Sequence, residues 1–176
     1  MHKAVFIDRD GVVNKDLGTY VTTPDEFVLI PGTIEAFKKL YKSDFKIIIV
    51  TNQSGIGKGF YTEKDVEAVH GKMHELLAKE AVKLDGVYYC PHHPHACCIC
   101  RKPEVGMLEK AIEEHDIDPK KSFLIGDKTS DIKAGNDMGC KTFLVETGYG
   151  GKDKKYDVKP DFTVSDLLEA VNTILR

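Results

Sequence analysis

The apolar run from Ala4 to Ile7 breaks off into Asp8-Arg9-Asp10-Gly11, two carboxylates one residue apart immediately before a glycine. A continuous apolar run closed by a turn signal reads as a short strand buried on both faces, the form strands take in parallel sheets. The device recurs. Ile47 to Val50, the most apolar β-branched run and so a predicted central strand, ends in Thr51-Asn52-Gln53-Ser54-Gly55. Gly86 to Tyr89 runs into Cys90 and a cysteine-rich loop that leads to Arg101 and Lys102, and Phe123 to Ile125 ends in Gly126-Asp127-Lys128-Thr129-Ser130-Asp131.

Helical periodicity fills the intervals. Pro31-Gly32-Thr33 opens a helix to about Tyr41, and Thr62 with Asp65 caps a longer one to about Lys83, with Val66, Val69, Met73, Leu76 and Leu77 on its apolar face. Helices also follow over Val105 to His115, after Asp131 up to a stop at Gly139, and after a cap at Ser165. Thr142 to Val145 reads as a strand, and Phe162 to Val164 as a short edge strand. Alternating strands and helices predict a doubly wound, mostly parallel, Rossmann-like α/β sheet, here one domain over residues 1–176. Parallel strands bring their carboxyl ends to one edge, so polar clusters far apart in sequence converge there.

Composition narrows the function classes. The net charge of −3, with lysine and arginine dispersed, argues against a nucleic-acid-binding surface. No run reaches the ~18 apolar residues of a membrane span, and the N-terminus carries no signal-peptide core, so the expected compartment is the cytoplasm. A monomer is expected, because no strongly apolar surface helix stands out.

Two carboxylates as close as Asp8 and Asp10 repel by about 4 kcal/mol at ~4 Å and an effective dielectric of ~20, which invites a cation or a shared proton. Magnesium suits the pair, as a hard ion that takes oxygen ligands and leaves room for a phosphate. With Thr51, Asn52, Arg101, Lys102, Asp127 and Asp131 the edge holds carboxylates, a hydroxyl, an amide and two cations, an inventory suited to moving a phosphoryl group. No serine or cysteine triad is apparent, which leaves a carboxylate as nucleophile.

These motifs, Asp8-Arg9-Asp10-Gly11, Thr51-Asn52, Lys102 and Gly126-Asp127 to Asp131, resemble in order the four motifs of the haloacid-dehalogenase-like (HAD-like) superfamily of aspartate-nucleophile phosphatases. The resemblance implies that Asp8 attacks phosphorus, and that Asp10 protonates the departing oxygen and then takes a proton from water. For this Asp10 is expected to hold a proton at neutral pH, favoured by neighbouring negative charge. It further implies magnesium held by Asp8, the Asp10 carbonyl and Asp127, with Thr51, the Asn52 amide and Lys102 on the phosphate oxygens. Asp131 either binds magnesium, directly or through water, or orients Lys102.

Cys90-Pro91-His92 and Cys98-Ile99-Cys100 offer three sulfurs and an imidazole, a set suited to structural, tetrahedral zinc. His93 and His95 are spare, and Cys97 rivals Cys98, whose two-residue spacing from Cys100 favours it. Together with Arg101-Lys102-Pro103, this loop resembles the D-glycero-D-manno-heptose 1,7-bisphosphate phosphatases and the related histidinol-phosphate phosphatases, whose zinc ligands carry over to Cys90, His92, Cys98 and Cys100. The resemblance implies hydrolysis of the C7 phosphate, in lipopolysaccharide or surface-glycan heptose synthesis, with histidinol phosphate as the alternative substrate. Expected substrate contacts are Arg9, Asp16, Gly18, Tyr20, Thr51, Asn52, Gln53, Ser54, Arg101, Lys102 and Lys128, although Asp16 to Tyr20 is one residue longer than the family's usual pattern. No stretch is long enough for a large cap domain. A phosphosugar mutase would have to shield its phosphoryl group from water, which disfavours that reading, and a non-catalytic zinc-binding module is the remaining rival.

Overall fold

The computed structural model describes residues 1–176. Strands β1 (Lys3–Ile7), β2 (Phe45–Asn52), β3 (Gly86–Cys90), β4 (Phe123–Gly126), β5 (Lys141–Val145) and β6 (Phe162–Val164) form one sheet in the order β3-β2-β1-β4-β5-β6. Every pairing is parallel. Helices α1 (Thr33–Tyr41), α2 (Glu63–Ala78), α3 (Gly106–His115), α4 (Thr129–Met138) and α5 (Leu167–Ile174) cover its two faces. The sheet is the doubly wound α/β form that the alternation predicts.

Side-chain alternation along β1 divides the core. Val5 and Ile7 join one cluster with residues of α1, α2 and α5, while Ala4 and Phe6 join the other with residues of α3 and α4. Ile47 and Ile49 of β2 take the first face, and Ile48 and Val50 the second. Burial of each large apolar side chain contributes about 1.5–3 kcal/mol, which is why these runs tolerate no interruption until the strands end.

Strand order reverses between β1 and β4, because the chain winds from β1 to β2 and β3 and then crosses back to β4. Ligands bind at such a switch point in open α/β sheets, beyond the carboxyl ends of the strands. Asp8 follows β1 and Asp127 follows β4, so both sit there. The segments after β1 and β2, residues 8–32 and 53–62, form the rim above it.

Several expectations shift. The Ile47 strand is interior but lies beside β3, one place from the sheet's edge, so its apolar character reflects cover on both faces rather than a central position. The helix that opens at Thr62, whose hydroxyl accepts from the Asp65 N–H, ends at Ala78 instead of Lys83. Beyond it Ala81 takes a left-handed backbone at φ 55°, which a helix cannot accommodate. Asp166, rather than Ser165, caps α5 through its carboxylate to the Glu169 N–H, while Ser165 bonds the Glu169 side chain. No helix is long and apolar enough to cross a membrane.

Candidate active site

The edge of the sheet opens into a cleft of about 1390 Å³. At its floor the buried Lys102 ammonium lies 2.8 Å from Asp8 Oδ1 and 2.7 Å from Asp131 Oδ1, and donates to the Val50 carbonyl at 2.7 Å. Burial alone would weaken the lysine's hold on its proton, but the Asp131 and Asp8 charges outweigh that and hold its pKa above the ordinary value. Asn52 fixes the lysine's backbone: its amide donates to the Lys102 carbonyl at 3.0 Å and its oxygen accepts from the Lys102 N–H at 3.0 Å. The other Asp131 oxygen accepts from the Lys128 N–H at 3.0 Å, closing the first turn of α4.

Asp127 faces Asp8 across the switch point. Its Oδ2 accepts from the Tyr149 N–H at 2.7 Å, whereas its Oδ1 is buried with no partner. Gly11 and Gly148, at φ 88° and 63°, pass close over this carboxylate, and a Cβ on either would lie 2.4 or 2.2 Å from Asp127 Oδ2. Only glycine fits both the backbone and the space. Carboxylate oxygens of Asp8, Asp127 and Asp131 lie within 4.8 Å of one another. Burial, with the charge of Asp131, pushes the Asp8 carboxyl up to about 6 despite Lys102. Burial and the charges of Asp8 and Asp131 push Asp127 up to about 8.

Asp10 is differently placed. Arg9 donates to both its oxygens at 3.0–3.2 Å, Asn14 to Oδ1 at 2.9 Å and Gln53 to Oδ2 at 2.9 Å. Burial opposes ionisation, but Arg9, Asn14 and Gln53 outweigh it and hold this carboxyl below the ordinary aspartate value. Gln53 also donates to Thr51 Oγ1 at 2.9 Å, which leaves the threonine's own proton for a ligand. Around the rim stand Asp16, Gly18, Tyr20, Ser54, Arg101 and Lys128. Asp16 Oδ1 accepts from the Gly18 N–H at 2.8 Å, the Lys128 ammonium lies 3.8 Å from Asp16, and Tyr20 rests on Phe60 and Tyr61. Arg101 Nη1 is buried without a partner.

In the loop after β3, Cys90, His92, Cys98 and Cys100 converge within 4.8 Å. The sulfurs lie 3.1–3.6 Å apart, and His92 Nδ1 is 3.1 Å from Cys100 Sγ and 3.5 Å from Cys90 Sγ. Tetrahedral zinc with ~2.3 Å bonds to sulfur spaces its ligands about 3.7 Å apart, so the set fits that ion. Cys97 is exposed and turns its thiol to the His95 carbonyl instead.

Residues 99–170 match the Hydrolase_like family model, described as HAD-hyrolase-like. A D-glycero-beta-D-manno-heptose-1,7-bisphosphate 7-phosphatase of Bordetella bronchiseptica is 38% identical over 176 residues, covering 99% of this chain and 98% of the relative. The chain belongs to this family of HAD-like phosphatases. The Haemophilus influenzae member is 45% identical over 157 residues, 84% of each chain. A crystal structure of the B. bronchiseptica D,D-heptose 1,7-bisphosphate phosphatase with magnesium and phosphate superposes with a TM-score of 0.91 at 35% identity, covering 98% of each chain.

Within this HAD-like phosphatase three expected placements change. Arg9 does not face the cleft: it is fully buried, its guanidinium folded onto Asp10 and His70. The Asn52 side chain is tied at both ends to the Lys102 backbone and so serves first to place that lysine. Asp10 is a carboxylate in the free protein, because its neighbours are donors and a cation rather than the expected negative charges. Tyr61, His70 and the Gly148-Tyr149 turn escaped sequence reasoning, as did the bond from Asn14 to Asp10. For His70 a signal existed, since position 70 falls within the apolar stripe of α2 and a polar residue there must be buried.

The donor set of Asp8 and Asp127, with one orphaned buried oxygen, suits a hard divalent cation such as magnesium. Asp8 and Asp127 titrate at about 6 and about 8 against an ordinary 3.8, so the folded chain keeps protons that the unfolded chain has released. Stability without metal is therefore expected to fall as pH rises through that interval. Magnesium, binding the ionised pair, should raise Tm more at about pH 8 than at about pH 5.5. Scanning calorimetry with and without the ion checks this, and equal shifts at both pH values would contradict it.

Proposed function

We propose that this chain is a magnesium-dependent phosphoric monoester hydrolase that removes the C7 phosphate of D-glycero-D-manno-heptose 1,7-bisphosphate, in the cytoplasm. The observation that carries the reading is Lys102, bridging Asp8 and Asp131 at 2.8 and 2.7 Å on the cleft floor beside Asp10. The Asp8 carboxylate attacks phosphorus while the bond to the sugar oxygen breaks, and Asp10 delivers a proton to that oxygen. Water then attacks the phosphorylated Asp8, Asp10 takes its proton, and phosphate leaves with the Asp8 carboxylate restored. Asp10 acquires its first proton as the dianionic substrate arrives, because that charge opposes the pull of Arg9.

The Thr51 hydroxyl and the Lys102 N–H now paired with Asp8 hold the phosphoryl oxygens, while the lysine's other N–H groups stay on Asp131 and the Val50 carbonyl. Asp8, Asp127 and the Asp10 carbonyl would hold magnesium, which neutralises the charge on the phosphoryl group when bound. Arg101, with an unpartnered buried Nη1, and Lys128 are cations suited to the substrate's second phosphate. Asp16, Gly18, Tyr20 and Ser54 stand where sugar hydroxyls would lie.

Relatives named for the heptose substrate favour it over histidinol phosphate. Phosphate release from both compounds tests the choice: a preference for the heptose bisphosphate is expected, and faster turnover of histidinol phosphate would overturn it. Cys90, His92, Cys98 and Cys100 would hold a structural zinc, which would pin the loop leading into Arg101 and Lys102. Metal analysis should find one zinc per chain, and its extraction should lower Tm while leaving a folded, weakened enzyme. Protein devoid of zinc with full activity and unchanged Tm would remove the ion from this account.

A further inference from the structure

Asp10 is held by two chains of side chains that run back to residues behind the cleft wall. On one side, Gln53 donates to Asp10 Oδ2, and its own Oε1 accepts from the Tyr61 hydroxyl at 2.7 Å. On the other, Arg9 grips both Asp10 oxygens, and its Nη1 lies 3.1 Å from His70 Nε2. We propose that Tyr61 and His70 are positioning residues for Asp10, acting through Gln53 and Arg9 to aim its carboxyl at the leaving oxygen. The proposal rests on the role given to Asp10 above.

Donor and acceptor chemistry makes each chain directional. A carboxamide turned end for end would set Oε1 against the Asp10 carboxylate, two acceptors face to face. The Asp10 carboxylate disfavours this, and the Tyr61 hydroxyl reinforces the observed orientation by donating to Oε1; burial pushes its pKa up to about 12, so it keeps that proton. Its ring occupies the space a side chain at position 55 would need, with a Cβ there 2.0 Å from the Tyr61 ring, so the Gly55 backbone lies flat against it.

Arginine has donors only, so His70 Nε2 must accept and the imidazole must be neutral. Burial, aided by the Arg9 charge, agrees by pushing the His70 pKa down to about 3. The ring is 8% exposed and meets Tyr89 edge-on at 5.7 Å between centroids. Without this acceptor Arg9 Nη1 would lose its partner, and the guanidinium would be held on Asp10 from one side only.

Leaving-group dependence separates aiming from mere structure. An alkyl phosphate needs a proton on its departing oxygen, whereas p-nitrophenolate departs without one. Rapid-quench phosphorylation rates on the heptose bisphosphate and on p-nitrophenyl phosphate are to be compared for Tyr61→Phe, His70→Leu and His70→Gln, with Asp10→Asn as reference. Tyr61→Phe and His70→Leu should each slow the sugar substrate about five- to tenfold, with KM and the aryl burst within about twofold of the parent. His70→Gln, which restores an acceptor to Arg9, should recover most of the loss. Tyr61→Phe keeps the ring and carries the test should His70→Leu fail to fold. Asp10→Asn slowing both substrates alike would refute the role of Asp10 itself. If Asp10→Asn is selective for the sugar, but Tyr61→Phe and His70→Leu slow both substrates equally or neither, the positioning proposal is overturned.

Discussion

Lys102→Met is expected to lower Tm by roughly 6–20 °C and to abolish useful turnover. The ammonium is the cationic partner of two buried carboxylates, Asp8 at 2.8 Å and Asp131 at 2.7 Å. Removing one member of a buried ion pair typically costs about 3–5 kcal/mol, and each kcal/mol is worth about 2–4 °C in a chain of this size. Methionine fills much of the volume, so the loss reports uncompensated charge rather than a cavity. The orphaned carboxylates can regain neutrality by taking up protons, so the deficit should shrink as pH falls, opposite to ordinary acid destabilisation. Thermal melts at several pH values check both the size and the sign. A variant as stable as the parent at neutral pH would show that the three groups are not held as described.

Asp8→Asn is expected to leave the fold intact and reduce phosphate release by a factor on the order of 10⁴–10⁶, the scale seen when a covalent nucleophile is removed. The amide keeps the shape of the carboxylate and removes one of three crowded charges, so stability should hold or rise. Lys102 retains Asp131, which keeps the ammonium paired. Steady-state phosphate release together with a melting curve separates this from unfolding. Unchanged activity on p-nitrophenyl phosphate with magnesium would show that Asp8 is not the nucleophile.

The strand ends were legible in the sequence because burial on both faces demands uninterrupted apolar runs, and polar clusters can begin only where β1, β2 and β4 leave the core. Caps were legible where the side chain bonds its own turn, as at Thr62, or where the backbone turns left-handed, as at Gly139. The convergence of Cys90, His92, Cys98 and Cys100 followed from close spacing in a single loop.

What sequence could not supply was the direction of side chains set by distant partners. Arg9 has neighbours that suit an anionic substrate, yet the buried acceptor at His70, 61 positions away, draws it inward. Asn52 sits beside Thr51 in a phosphate-like motif, yet the backbone of Lys102, 50 positions on, takes both ends of its amide. The Gly148-Tyr149 turn reads only as a polar loop until Asp127 is seen beneath it, needing an N–H and no Cβ. Asp10 shows the consequence most clearly: its charge state depends on Arg9 pointing inward, which no local pattern specifies.

The account stands on a carboxylate at position 8 that carries the phosphoryl group during turnover. Acid-quenched enzyme taken within one turnover on the heptose bisphosphate, digested and read by mass spectrometry, should show a phosphoryl group on Asp8 that disappears on longer incubation and never forms in Asp8→Asn. A phosphoryl group found on another residue, or Asp8→Asn enzyme that still becomes phosphorylated and turns over, would contradict it.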